Sequence, residues 1–183
     1  GFGVDIVITR TIARDHTMIS PLISVGIVLR IAFHVVGYTV LVFFAHLVDY
    51  PTETIQLIYL FGVANLVFQI GHVCSAALYG LEKMGHLSMV NILTEVTSTG
   101  GIILLIFLDQ SIVRLGLISI VVGMVRTGLL FHLLRTSYPV RVEMRLSLAP
   151  WLLRTSSTIL ANRLVRNLYV QADVIFISLF VNA

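Results

Sequence analysis

Apolar residues run along this chain in long blocks separated by short polar breaks. Residues 17–48, 54–80, 87–108 and 115–135 are dominated by Ile, Leu, Val, Phe, Ala and Gly. Each block is long enough to cross a bilayer as a helix, which takes about 20 residues. The breaks at Asp49–Glu53, Leu81–His86 and Asp109–Arg114 hold charge, Pro or Gly and are predicted as tight connections. Residues 1–15 are too short and too charged to span, and are expected to be the last turns of a preceding helix ending in Arg10 and Arg14. Pro21 suits the first turn of the span that follows. The longest connection is 136–147, TSYPVRVEMRLS, and a fifth apolar stretch fills 148–181, with Trp151 placed as an interfacial anchor. The pattern predicts an all-α, polytopic transmembrane helix bundle.

Polar residues interrupt these blocks on one face at a time. The 148–181 stretch carries Arg154, Asn162, Arg163, Arg166, Asn167, Gln171 and Asp173. On its lipid side each Arg or Asp would cost about 2.5–3.5 kcal/mol, enough in sum to prevent insertion. At about 100° per residue, Asn162, Arg166 and Asp173 fall within an arc of about 40°, with Arg163 about 60° to one side. Such a stripe must face protein or water. Gly26, Arg30, His34 and Gly37 share a face of the first span, and Asn91, Glu95 and Ser98 share one in the third. Asn65, Gln69, His72 and Ala76 lie within about 60° on the second. Arg126 sits inside the fourth. Arg30 lies too deep for easy snorkelling, and a buried Glu95 must be protonated, paired or functional.

Composition makes the membrane reading firm. The chain of 183 residues is 57% hydrophobic and 11% charged, whereas a soluble domain carries about 25% charge. The net charge of +3 does not suggest nucleic acid, because the basic residues sit at span ends or inside spans. Arg10, Arg14, Lys83, Arg135, Arg141 and Arg145 fall on one side of the alternating spans and only Arg114 on the other. The positive-inside rule places loops 81–86 and 136–147 in the cytoplasm. The lone Cys74 excludes an internal disulfide and is expected to be buried. His72 and Cys74 point to different faces, so no metal site is expected. Phosphate-loop, zinc-protease and hydrolase motifs are missing, and the loops are too short for a catalytic site, so an enzyme is not expected. The simplest arrangement turns the stripes toward one central cavity. There Arg30, Arg126, Arg163 and Arg166 outnumber Glu95 and Asp173, which suits an anionic, phosphate-bearing substrate.

Three segments resemble the bacterial oligosaccharide flippases, the polysaccharide-transport group of the multidrug/oligosaccharidyl-lipid/polysaccharide exporter superfamily. They are RTIAR at 10–14, AALYGLEKMGHLSMVNI at 76–92, and APWLLRTSSTILANRL with ADVIFISLF between Ala149 and Phe180. The resemblance implies a two-lobe fold of 12–14 helices, of which this chain would be a fragment. Residues 1–135 would run from the end of helix 2 through helix 6 of the N-terminal lobe. Residues 136–147 would be the interlobe linker, and 148–183 the first helix of the C-terminal lobe. It further implies alternating-access transport of undecaprenyl-pyrophosphate-linked oligosaccharide across the bacterial inner membrane, with a polysaccharide polymerase as a candidate partner. On this reading Arg163 and Arg166 bind pyrophosphate, assisted by Arg30 or Arg126. Asn65, Gln69 and Asn162 bond sugar hydroxyls, and Asp173 or Glu95 couples a proton or sodium ion, with no other cofactor. The alternatives are a cation-coupled drug antiporter of the same superfamily, a membrane enzyme of polysaccharide assembly, and a non-transporting subunit.

Overall fold

A computed structural model describes residues 3–108, 113–141, 143–162 and 165. All regular structure in them is helical. Helix α1 covers Val4–Arg14, α2 Ile19–Leu47, α3 Thr52–Gly80, α4 Met84–Phe107 and α5 Val113–Ser137. A further helix, α6, is described over 148–162. Four segments are long and apolar enough to cross a membrane: His16–Leu47, Thr52–Gly80, Met84–Phe107 and Val113–Ser137. They coincide with the four predicted blocks to within a helical turn. At 29 residues, α2 and α3 are each about 43 Å long, more than the hydrocarbon thickness of about 30 Å.

Local chemistry sets the breaks. After α1 the chain turns extended at Asp15, whose Oδ1 accepts from the Thr17 N–H at 2.9 Å and the Thr17 hydroxyl at 2.7 Å. These bonds hold the Asp15 carboxyl below the usual carboxylate range. A 3₁₀ turn at His16–Met18 then leads into α2. The two tight hairpins use the same device. Asp49 and Glu82 take the left-handed conformation, with φ of 53° and 58°. Beyond them Tyr50 N–H bonds Ala45 O at 3.3 Å and Lys83 N–H bonds Leu78 O at 3.0 Å, closing a Schellman motif after α2 and after α3.

Helix α3 is the central element, touching α1, α2, α4 and α5, with its largest interface on α5. Small residues let neighbours approach it. A Cβ added at Gly80 would lie 2.7 Å from the Ile12 side chain and 2.9 Å from the Thr9 carbonyl oxygen. The fully buried core gathers at the end of α3 near the 81–83 turn: Ile8, Ile12, Leu22, Val73, Cys74, Leu78, Leu130, Leu134 and Leu152. Residues 138–141 and 143–147 lie against this end. There the Arg141 and Glu143 N–H groups donate to Ser20 Oγ at 3.1 Å and Ser24 Oγ at 3.3 Å. Toward the 48–51 turn the apolar side chains, Phe43, Phe44 and Phe107 among them, face outward, as lipid contact would require.

Candidate functional site: a buried ion pair between two cavities

The face that Arg30 shares with His34 and Gly37 turns toward α3. Arg30 is only 7% exposed. Its Nη2 donates to Asp5 Oδ1, forming an ion pair with the first turn of α1, and its Nη1 donates to Gln69 Oε1 of α3. Arg30 Nε is buried with no hydrogen-bond partner among the described residues. The alternative of a snorkelling Arg30 is not what the structure has: the side chain turns inward to a carboxylate. That follows from electrostatics, since a guanidinium removed from water needs a countercharge and hydrogen-bond acceptors.

Two cavities adjoin this cluster. The larger, about 690 Å³, is lined by Arg30, His34 and Tyr38 of α2 and by Asn65 and Gln69 of α3, and opens toward the 48–51 half of the bundle. The His34 and Tyr38 rings stack in its wall with centroids 5.7 Å apart. The second, about 420 Å³, lies toward the 81–83 turn and is lined by Asp5, Thr9 and Arg10 of α1 and by His72, Ser75 and Tyr79 of α3. The stripe read from the sequence on α3 therefore lines both, Asn65 and Gln69 in one, His72 and Ala76 in the other.

Arg126 belongs elsewhere. With Asn91, Glu95 and Ser98 of α4 and Phe68 and His72 of α3 it lines a cavity of about 230 Å³. Its Nη2 donates to Asn91 Oδ1 at 3.3 Å, its guanidinium lies 5.8 Å from the Phe68 ring centroid, and its Nη1 is buried without a partner among the described residues. Among the described residues the stripes thus serve separate cavities with α3 between them, rather than a single chamber. Arg30, Asn65 and Gln69 are brought together, and so are Arg126 and Glu95. Asn162 is exposed at the end of the described part of α6. Arg163, Arg166 and Asp173 lie outside the described residues. No three His, Cys, Asp or Glu side chains among the described residues group as metal ligands.

Sequence reasoning passed over Asp5. Its segment reads as the last turns of a preceding helix, and no partner is assigned to its acid. The available signal was a lone carboxylate within Val4-Asp5-Ile6-Val7-Ile8, where an unpaired charge would be costly.

The chain matches no protein-family model, no curated protein and no solved structure. Fold and site define a polytopic α-helical membrane protein with charged and amide side chains held inside its spans.

Proposed function

We propose that this chain is part of a transporter that flips undecaprenyl-pyrophosphate-linked oligosaccharide from the cytoplasmic to the outer leaflet of the bacterial inner membrane. The observation that carries this reading is the cavity of about 690 Å³ lined inside the spans by Arg30, Asn65, Gln69 and Tyr38. A pyrophosphate bearing sugars cannot cross hydrocarbon unaided. Amides and a phenol offer donors and acceptors to sugar hydroxyls, and a guanidinium offers them to phosphate. Alternating access would arise from rocking of two lobes around the site. Residues 1–135 belong to the first lobe, and 148–183 open the second. Arg163 and Arg166 hold the pyrophosphate, with Arg30 or Arg126 assisting, and Glu95 or Asp173 couples the ion. The resemblance of residues 10–14, 76–92 and 149–180 to the oligosaccharide flippases supports the substrate class.

The test is depletion of the protein in its own cells, followed by mass spectrometry of extracted lipids. Accumulation of a complete lipid-linked repeat unit, cleared by the wild-type chain but not by an Asn65→Leu variant present at equal level, is the expected result. Unchanged lipids in depleted cells that still build surface polysaccharide would exclude this function.

One observation favours a second reading. Arg30 already shares its charge with Asp5, which lowers the net basicity of the larger cavity. A cation-coupled antiporter for small molecules would use such a pair, with an incoming cation displacing Arg30 from the carboxylate. Drug sensitivity on depletion, with lipid-linked intermediates unchanged, would select it.

A further inference from the structure

Helix α1 ends in two cations that no acid pairs. Arg10 and Arg14 are exposed and four residues apart, so they share a face of the helix. Among the described residues the ion pairs are Arg30 with Asp5 and Arg145 with Glu143, and neither includes them. The acids nearest in the chain are engaged elsewhere, Asp5 by Arg30 and Asp15 by the amide and hydroxyl of Thr17.

Both arginines line a groove between α1 and α6. The two helices meet at its inner end, where a Cβ added at Gly3 would lie 2.8 Å from the Ile159 side chain. Beyond that contact they enclose about 320 Å³, within the range of small-ligand sites. Val7 and Ile159 line the groove toward Gly3, and Arg10, Arg14, Thr155 and Trp151 line it toward the end of the bundle. No acid lines it among the described residues. Arg10 also borders the cavity toward the 81–83 turn.

The depth of these groups matches the bilayer edge. Arg10 and Arg14 are separated by about 6 Å of helical rise, and the headgroup layer on each side of the hydrocarbon is about 5–8 Å thick. Trp151 lies in the first turn of α6 and is 43% exposed, as an aromatic anchor at that level would be. Cations therefore stand at headgroup depth, above apolar walls that continue toward the bilayer interior.

We infer that this groove is a binding site for an anionic phospholipid, with its phosphodiester on Arg10 and Arg14 and one acyl chain along Val7 and Ile159. Each guanidinium presents a planar fork of donors that fits two phosphate oxygens. The hydroxyls of Thr11 and Thr155 line the same groove and offer hydrogen bonds to the headgroup. The apolar walls favour a lipid over a free anion, which would leave Val7, Ile159 and the Trp151 ring uncovered. A lipid seated there links α1 to α6. Neither the larger cavity nor a transported substrate enters this inference, so it stands apart from the flippase reading.

Native mass spectrometry of the full-length protein in a neutral detergent tests it. The protein is titrated with phosphatidylglycerol or with phosphatidylcholine of the same acyl chains. Wild type is expected to retain one phosphatidylglycerol with an affinity about tenfold or more above that for phosphatidylcholine, since each Arg near a headgroup contributes about fivefold. Arg10→Gln with Arg14→Gln should abolish the preference. Arg141→Gln with Arg145→Gln removes equal charge from the same end of the bundle and should change it by about twofold at most, since exposed charges farther off are screened. Thr155→Phe fills the groove with both cations in place and should weaken phosphatidylglycerol severalfold. The thermal midpoint of wild type should rise with phosphatidylglycerol, and that of the Arg10 and Arg14 double variant should not.

Three results would overturn the site. Equal retention of the two lipids by wild type would remove the anionic preference, and this comparison needs no variant. Equal losses from the two double variants would reduce the effect to diffuse attraction by a basic surface. Displacement of the lipid by soluble glycerol phosphate would make the ligand a free phosphate and not a membrane lipid. Lipid-linked oligosaccharide that fails to accumulate on depletion, with this preference intact, would reject the flippase and keep the lipid site.

Discussion

Arg30 of α2 and Asp5 of α1 lie 25 residues apart in the chain and form a part-buried ion pair, with the guanidinium covered and the carboxylate half-exposed. Each satisfies what the other could not leave unpaired. Removing one partner strands the other, whereas replacing both with apolar side chains strands neither. Arg30→Met alone is expected to destabilise the fold by about 3 kcal/mol, the low end for a buried pair, because Asp5 retains access to water. The double variant Arg30→Met with Asp5→Leu should recover much of this loss. Thermal unfolding of the four proteins of the cycle in detergent measures the coupling; additive effects would mean that the pair is not energetically linked.

Two glycines should respond to alanine with opposite sign. At Gly80 a Cβ would meet the Thr9 backbone oxygen and Ile12 within 3 Å, so α1 and α3 would be forced apart at a cost of about 1–3 kcal/mol. At Gly100, in the middle of α4, a Cβ would meet nothing within 4 Å. Gly100→Ala should stabilise by about 0.5–1 kcal/mol through the lower entropy of the unfolded chain. A midpoint of thermal unfolding that rises with Gly80→Ala would contradict the close approach there, and one that falls with Gly100→Ala would contradict the open space at Gly100.

The turn between α3 and α4 carries a local conflict. Glu82 holds φ of 58° without being glycine, a conformation that costs an L-residue about 1–2 kcal/mol. Glu82→Gly is expected to raise stability by about 1 kcal/mol, while the 83-to-78 backbone bond persists. Hydrogen exchange at the Lys83 amide checks the bond, and unfolding midpoints check the gain.

The break between α1 and α2 should be acid-sensitive. Bonds from Thr17 depress the folded value of the Asp15 carboxyl, so its contribution is fully present above the ordinary value of about 3.9 and fades as pH falls through the lower folded value. Hydrogen-exchange protection of the Thr17 amide should fall over that acid window. Thr17→Val, which keeps the amide but loses the hydroxyl bond, should move the window toward the ordinary value. Protection flat across the window would remove Asp15 from this role.

The helical spans were legible because bilayer thickness and helical rise fix how long an apolar block must be. That requirement acts on consecutive residues, so it needs no tertiary information. The faces were legible for the same reason: a 3.6-residue period placed Arg30 with His34, Asn65 with Gln69, and Asn91 with Glu95, and each of these pairs shares a cavity. What the period could not say was which face meets which. A single cavity was the simplest closure of four stripes, and it assumed that every stripe turns toward the same axis. Among the described residues α3 stands between Arg30 on one side and Arg126 with Glu95 on the other.

The class of protein, the spans and their polar faces follow from hydropathy and helical geometry along a continuous stretch of chain. Tertiary structure decided the charge partners. Asp5 falls in the last turns of a preceding helix with no partner evident along the chain, and the packing of α1 on α3 through Thr9, Ile12 and Gly80 carries it to Arg30. Pairing of charges depends on distances between separate helices, and those distances are set by which small residues let backbones approach, a property of the assembled bundle rather than of any one segment.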